Sequence, residues 1–229
     1  MRKCGCNASD YYMIGLMQRH YSMFDYIFLG IDQAIRTLDH YPRTTGRSYP
    51  AKDIPEQILT ESQRQHSAGL MRVNHAGEIC AQALYHGQGV VTHTPMIKAK
   101  MQQAAMEEGD HLVWCEQRLD ELKSHTSYLN PFWYAGSFGI GMLAGVIGDR
   151  FSLGFLAETE QQVIKHLEKH SQLLPDQDQR SYTILQQMER DEAQHRKEAI
   201  TAGACELPLV AKKTMACVSK IMVKIAYWV

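Results

Sequence analysis

MEEGDHL, residues 106–112, sets Glu108 and His111 three positions apart, and ERDEAQHR, residues 189–196, repeats that spacing with Glu192 and His195. Residues three apart are neighbours on one face of a helix. Apolar residues extend each pair into a helical seam, followed in alternating steps of three and four. One seam runs Met101, Ala104, Glu108, His111, Cys115, and the other Leu185, Met188, Glu192, His195, Ala199. Two more stretches carry a single glutamate on the same kind of seam: Met71, Asn74, Glu78, Ala81, Tyr85, and Leu153, Leu156, Glu160, Val163, Leu167. The chain therefore presents Glu, Glu-x-x-His, Glu, Glu-x-x-His on four helices whose inward faces are otherwise apolar.

The breaks between these helices come from Pro, Gly and capping residues. The pattern predicts helices over 24–39, 62–90, 95–123, 150–172 and 177–202, and a last one after Pro208. Thr94-Pro95 has the form of an N-cap followed by Pro at the first helical position. Residues 42–54, with Pro, Arg, Thr, Gly and Ser, form a loop. An apolar, glycine-rich helix over 132–148 lies between the second and third long helices. Depths agree as well: Glu78 lies 13 residues before Val91, and Glu108 lies 13 residues after Pro95. Equal rise per residue then brings both carboxylates to one height in an antiparallel pair. The expected fold is all-α: a ferritin-like four-helix bundle with extra helices and an apolar crossover segment. Residues 23–229 are expected to form one domain, and residues 1–22 a disordered or over-extended N-terminal stretch.

Buried carboxylates without a counter-charge cost several kcal/mol or take up protons. Four of them in one core call for cations. Two divalent ions balance four glutamates, and carboxylate with imidazole, free of thiolate, suits iron or manganese better than structural zinc. Glu78, Glu108, His111, Glu160, Glu192 and His195 are therefore the candidate ligands, and a pair of iron ions the expected cofactor. Glu107 and Asp191, each preceding a candidate ligand, are placed to accept a hydrogen bond from the second nitrogen of a ligand histidine. Glu158 lies off its seam. His75 and His166 are expected to be satisfied polar residues.

Composition narrows the field. With 24 basic and 25 acidic residues the net charge is −1, which gives no electrostatic footprint for nucleic acid. Six scattered cysteines in 229 residues do not form a disulfide framework. The segment 132–148 is interrupted by glycine and is too short for a convincing membrane span. The tail, 209–229, interleaves apolar residues with Lys212, Lys213, Lys220 and Lys224 and ends in Tyr227 and Trp228, a composition that suits an interfacial helix.

The blocks RVNHAGE (72–78), MEEGDHL (106–112), AETEQQVIKHL (157–167) and ERDEAQHR (189–196), with the C-terminal run SKIMVKIAYWV, resemble the demethoxyubiquinone hydroxylase family, in its longer bacterial branch. The resemblance covers residues 19–229. It implies a di-iron monooxygenase that hydroxylates the ring of 2-polyprenyl-3-methyl-6-methoxy-1,4-benzoquinol with dioxygen. Glu78, Glu108 and His111 would serve one iron and Glu160, Glu192 and His195 the other, with Glu108 and Glu192 bridging. It also implies peripheral attachment to the cytoplasmic side of the inner membrane and other ubiquinone-biosynthesis proteins as partners. The sequence carries no G-x-G-x-x-G fingerprint, so the electrons are expected from the reduced quinone itself, a transient contact with NADH, or a partner reductase. Two other classes share these features: a ferritin- or rubrerythrin-like ferroxidase, and a catalytically idle scaffold that binds quinone intermediates.

Overall fold

Thr60 starts the first long helix with a capping box: its hydroxyl accepts from the Gln63 amide at 3.3 Å, and the Gln63 side chain accepts from the Thr60 amide at 2.9 Å. Asp178 caps a later helix by accepting from the Ser181 amide at 3.0 Å. Between such signals the computed structural model, which describes residues 23–92 and 94–229, contains seven helices and no strand among the described residues. They are α1 (Met23–Leu38), α2 (Glu61–Val91), α3 (Pro95–Glu121), α4 (Asn130–Ile147), α5 (Asp149–Leu173), α6 (Gln179–Thr201) and α7 (Leu209–Ala226). The expected N-terminal stretch 1–22 lies outside the described residues. One cap differs from expectation. The Thr94 hydroxyl makes no capping bond and instead donates to Asp149, which also accepts from Thr92 at 2.7 Å. The α2–α3 turn is thus tied to the start of α5.

α2 and α3 form one antiparallel pair and α5 and α6 the other, and the pairs face each other to make a ferritin-like four-helix bundle. Contacts across the pairs descend in sequence as they ascend: Asn74 with His170, Tyr85 with Glu160, Gln88 with Ser152. α3 and α6 do the same through His111 with Asp191, Cys115 with Met188 and Arg118 with Ser181. The core divides into two apolar clusters. One, at one end, includes Met71, Trp114, Cys115, Leu167, Leu185 and Met188. The other includes Tyr85, Met101, Leu153, Leu156 and Ala199. On every helix of the bundle the candidate ligands fall between a residue of the first cluster and a residue of the second.

The crossover helix α4 runs parallel to α2 and lies against its backbone. A Cβ on Gly141 would stand 2.5 Å from the Leu84 carbonyl oxygen, one on Gly87 2.3 Å from that of Phe138, and one on Gly145 2.2 Å from Val91 Cγ2. The glycines that make this segment a poor membrane span are therefore what lets two helices touch main chain to main chain. Gly141→Ala is expected to cost about 1–3 kcal/mol through overpacking. Gly139→Ala, where no atom lies within 4 Å, is expected to stabilise the helix by about 0.5–1 kcal/mol. Urea unfolding of the two variants checks the pair; equal midpoints would contradict the packing assignment.

Residues 39–60, which connect α1 to α2, are not a free surface loop. Ala51 is fully buried, and Tyr49, Ile54 and Leu59 pack on the first core cluster. Two guanidiniums fasten this segment. Arg118 donates to Glu56, Glu121, Asp178 and Ser181, at 2.8–2.9 Å for the shortest bond to each. Arg180 donates to the Ile54 carbonyl at 2.6 Å and to both oxygens of Glu121.

Candidate metal centre

The seam positions behave as their spacing predicts. Glu78, Glu108, His111, Glu160, Glu192 and His195 are all buried, and they meet at mid-height in the bundle. Two four-residue groups each bring one donor atom per residue to within 4.8 Å of the rest: Glu78, Glu108, His111, Glu192, and Glu108, Glu160, Glu192, His195. Glu108 and Glu192 belong to both. His111 Nδ1 lies 3.1 Å from Glu108 Oε2, 3.1 Å from Glu192 Oε1 and 3.4 Å from Glu78 Oε2. His195 Nδ1 lies 3.2 Å from Glu192 Oε2 and 3.3 Å from Glu108 Oε1.

One ring nitrogen carries a single proton or a single lone pair, so it cannot satisfy two or three carboxylates together. The shortfall shows as buried oxygens without any hydrogen bond: Glu108 Oε1, Glu160 Oε2 and Glu192 Oε1. Orphaned buried carboxylate oxygens are costly and rare. Donors about 3 Å apart are also the edges of an octahedron with bonds of about 2.1 Å. The residues present therefore fit metal ions, and the cluster could hold them.

Electrostatics point the same way. Burial, with the charge of Glu108 next, drives the Glu78 carboxyl well above its usual range; burial with Glu192 and Glu108 does the same to Glu160. Burial also opposes the charged forms of Glu108 and Glu192, but hydrogen bonds from His111 and His195 outweigh it and hold both carboxyls low. Both imidazoles are correspondingly held protonated by their carboxylate partners against the cost of burial. The metal-free cluster thus balances its charge with protons.

Surrounding groups fix the orientation. His111 Nε2 lies 2.9 Å from Asp191 Oδ2, and His195 Nε2 lies 2.6 Å from Glu107 Oε2. Each acidic neighbour therefore serves the histidine of the opposite helix, which turns both Nδ1 atoms inward. The Tyr85 hydroxyl donates to Glu160 Oε1 at 2.8 Å. Sequence placed Tyr85 on the seam without assigning that bond. Glu158 is only partly buried and accepts from Gln162 at 2.9 Å, away from the centre. His75 is buried with Asn130 at 3.5 Å. His166 is not satisfied as expected: its Nε2 is buried and makes no hydrogen bond. Neither His75 nor His166 belongs to the two donor groups. No motif or periodicity marks Arg47, which also reaches the site. It comes from the loop before α2 and reaches Asp191 at 2.7 Å.

Comparison with known proteins follows the same residues. The family model described as ubiquinone biosynthesis protein COQ7 matches residues 65–226. A 3-demethoxyubiquinol 3-hydroxylase of Acinetobacter baumannii is 52% identical over 210 residues, covering 92% of this chain and 99% of that protein. Proteins of the same name from Nitrosococcus oceani and Stutzerimonas stutzeri are each 52% identical over 92% of this chain, with 99% and 98% of their own lengths covered.

Proposed function

We propose that this chain, which belongs to the family of ubiquinone biosynthesis protein COQ7, is a 3-demethoxyubiquinol 3-hydroxylase that works through two iron ions. The observation that carries the metal assignment is the pair of overlapping donor groups sharing Glu108 and Glu192. The relatives named as hydroxylases favour ring hydroxylation over the ferroxidase alternative.

Glu78, Glu108, His111, Glu160, Glu192 and His195 would hold the metals. A bound iron pair would supply dioxygen activation and the two-electron chemistry that puts one oxygen atom on the quinol ring and releases the other as water. The chain's own contribution is position and dryness. Glu108 and Glu192 each present one oxygen towards either half of the cluster. Asp191 and Glu107 hold the imidazoles with Nδ1 inward. The Tyr85 hydroxyl keeps Glu160 facing the cluster from α2. The apolar clusters above and below keep water from the carboxylate and imidazole groups.

The test is isotopic. Iron-loaded protein given a soluble demethoxyquinol, a reductant and labelled dioxygen is expected to place one labelled atom in the new ring hydroxyl. Label arriving from water would refute monooxygenation. Metal loading is also expected to release protons, because Glu78, Glu160 and both histidines carry them in the metal-free cluster. Affinity for iron should therefore weaken as pH falls. A pH indicator in weak buffer during iron addition reads this directly, and loading without proton release would contradict it.

The substrate and the surface belong together. A quinol on a polyprenyl tail stays in lipid, so the protein must meet a bilayer. No helix among the described residues is long and apolar enough to cross one. The outward side of α4 exposes Phe132, Leu143, Val146 and Ile147, and α7 exposes Val210 and Ile221 beside Lys213, Lys220 and Lys224, with Trp228 exposed just after it. These faces support peripheral attachment to the inner membrane. Each lysine near an anionic surface contributes about 1 kcal/mol. Replacing Lys213, Lys220 and Lys224 by glutamate is therefore expected to weaken flotation with anionic vesicles by at least about a hundredfold, and unchanged flotation would exclude α7 as the contact.

A further inference from the structure

The two halves of the cluster match in their ligand types and in the acid behind each histidine; they differ at Glu160, which alone accepts from a tyrosine, and in what lies behind the two acids. His111 pairs with Asp191, and His195 pairs with Glu107. Glu107 completes its bonding with a neutral partner, Gln103, at 2.7 Å. Asp191 likewise accepts from a glutamine, Gln187, at Oδ1 and 2.9 Å, but in addition it shares Oδ2 between His111 and the Arg47 guanidinium, whose Nη1 stands 2.7 Å away.

Arg47 is held there by a built seat. Its Nε donates to Asp110 Oδ2 at 2.9 Å, and its guanidinium lies over the Trp114 ring at 4.8 Å. That ring in turn lies 5.3 Å from the ring of His111. Asp110 is 2% exposed and also accepts from the amides of Thr45 and Gly46, at 3.2 and 3.1 Å. Beside it, α3 has no side chain at Gly109, where a Cβ would stand 1.9 Å from the Arg43 carbonyl oxygen. Residues 43–47 therefore cross α3 as a strap pressed onto its backbone, with Arg47 at the end that reaches the centre. Residues 43–47 lie outside the stretch matched by the family model.

We propose that Arg47 is a positioning residue that helps make the two metal positions unequal, by hydrogen-bonding Asp191, the acid behind His111, and not Glu107, the acid behind His195. This rests on the metal assignment made above. A carboxylate that accepts from a ring N–H raises the basicity of the opposite nitrogen. A carboxylate already bonded to a guanidinium does so less, since part of its charge is answered elsewhere. His111 Nδ1 is then the poorer electron donor of the two, and the metal beside it is the more easily reduced. The strap also fixes the rotamer of Asp191, and through it the plane of the imidazole.

The experiment uses the full chain loaded with iron. Wild-type protein is expected to bind two Fe(II) per chain, with two distinct Mössbauer doublets. In Arg47→Met, Asp191 keeps its full charge for His111. The ferric-to-ferrous ratio at a fixed mediator potential should rise about tenfold, the lower end of what an outer partner of a metal ligand typically contributes, and the doublets should converge. Arg47→Lys keeps a positive charge but lacks the fork that reaches Asp110 and Asp191 together. It should retain most of the ratio while releasing iron faster to a chelator. Failure of the wild type to bind two irons would defeat the metal assignment itself. Two bound irons, with both variants overlaying the wild type in ratio, doublets and release, would overturn the strap alone. If the Met variant does not fold, unchanged doublets and release in Arg47→Lys overturn it equally.

Discussion

Replacing Glu192 by alanine is expected to end ubiquinone synthesis in cells that depend on this chain and to leave the purified protein with one metal or none. Glu192 belongs to both donor groups, so its loss opens both halves of the centre at once. Loss of a mere outer partner already costs about 10–100-fold in metal affinity or activity, so a shared ligand should cost more than about a hundredfold. Stability should fall as well. In the metal-free protein Glu108 repels the buried Glu192 carboxylate, but hydrogen bonds from His111 and His195 outweigh burial and repulsion and hold its carboxyl low. The variant without metal strips one acceptor from both protonated imidazoles and is therefore expected to be less stable than the wild type without metal, by about 1–3 kcal/mol. The added stability that bound metal confers on the wild type should disappear too. Metal analysis, thermal unfolding with and without iron, and quinone profiling of a rescued deletion strain check the three statements. Two irons per chain and a normal quinone profile in the variant would refute the shared-ligand assignment.

The second large effect lies away from the centre. Arg118→Met is expected to destabilise the fold by about 3–5 kcal/mol, the usual cost of stripping one partner from a buried charge pair. At about 2–4 °C per kcal/mol for a chain of this size, the midpoint should fall by roughly 6–20 °C. The Arg118 side chain is 1% exposed, and its partner Asp178 is 0% exposed. Methionine would leave that carboxylate buried and strip the 2.8 Å bond that steadies the cap of α6. The same guanidinium holds Glu56, so the segment 39–60 should loosen as well. Below its lowered midpoint the variant should still bind metal, since Arg118 belongs to neither donor group. A fall of less than about 2 °C would show that the remaining contacts of Glu56, Glu121 and Asp178 suffice.

Much of this fold and cluster was legible because helices encode their faces locally. A step of three or four places Leu153, Leu156, Glu160 and Leu167 on one stripe, and all four are buried in the bundle. The roles of Glu107 and Asp191 followed from their positions beside the candidate ligands, although the crosswise pairing to the opposite histidine needed three dimensions. What stayed hidden was long-range. Arg47 lies 144 positions from Asp191 in a stretch without periodicity, so no local pattern marks it. Residues 42–54 carry turn formers and were legible only as a loop, whereas burial of Ala51 depends on packing into an apolar cluster built by residues far along the chain. Thr94 has the right type and position for a cap, but Asp149 is the stronger acceptor for its hydroxyl. The glycines of α4 were legible as interruptions of an apolar run. That they make room for α2 depends on the partner helix.

The contact between α4 and α2 also sets a short ruler. Glycine at the crossing brings two helix axes to about 8 Å, the near end of the usual range. Phe132, Leu143, Val146 and Ile147 stand on the far side of α4, and Glu78 stands on α2. Only one helix thickness separates the oily outer flank of α4 from the α2 backbone between Leu84 and Val91, roughly two to four turns beyond Glu78. Main chain against main chain leaves no side chain to yield between them, so a push on that flank is passed directly to α2, the helix that carries Glu78 and Tyr85.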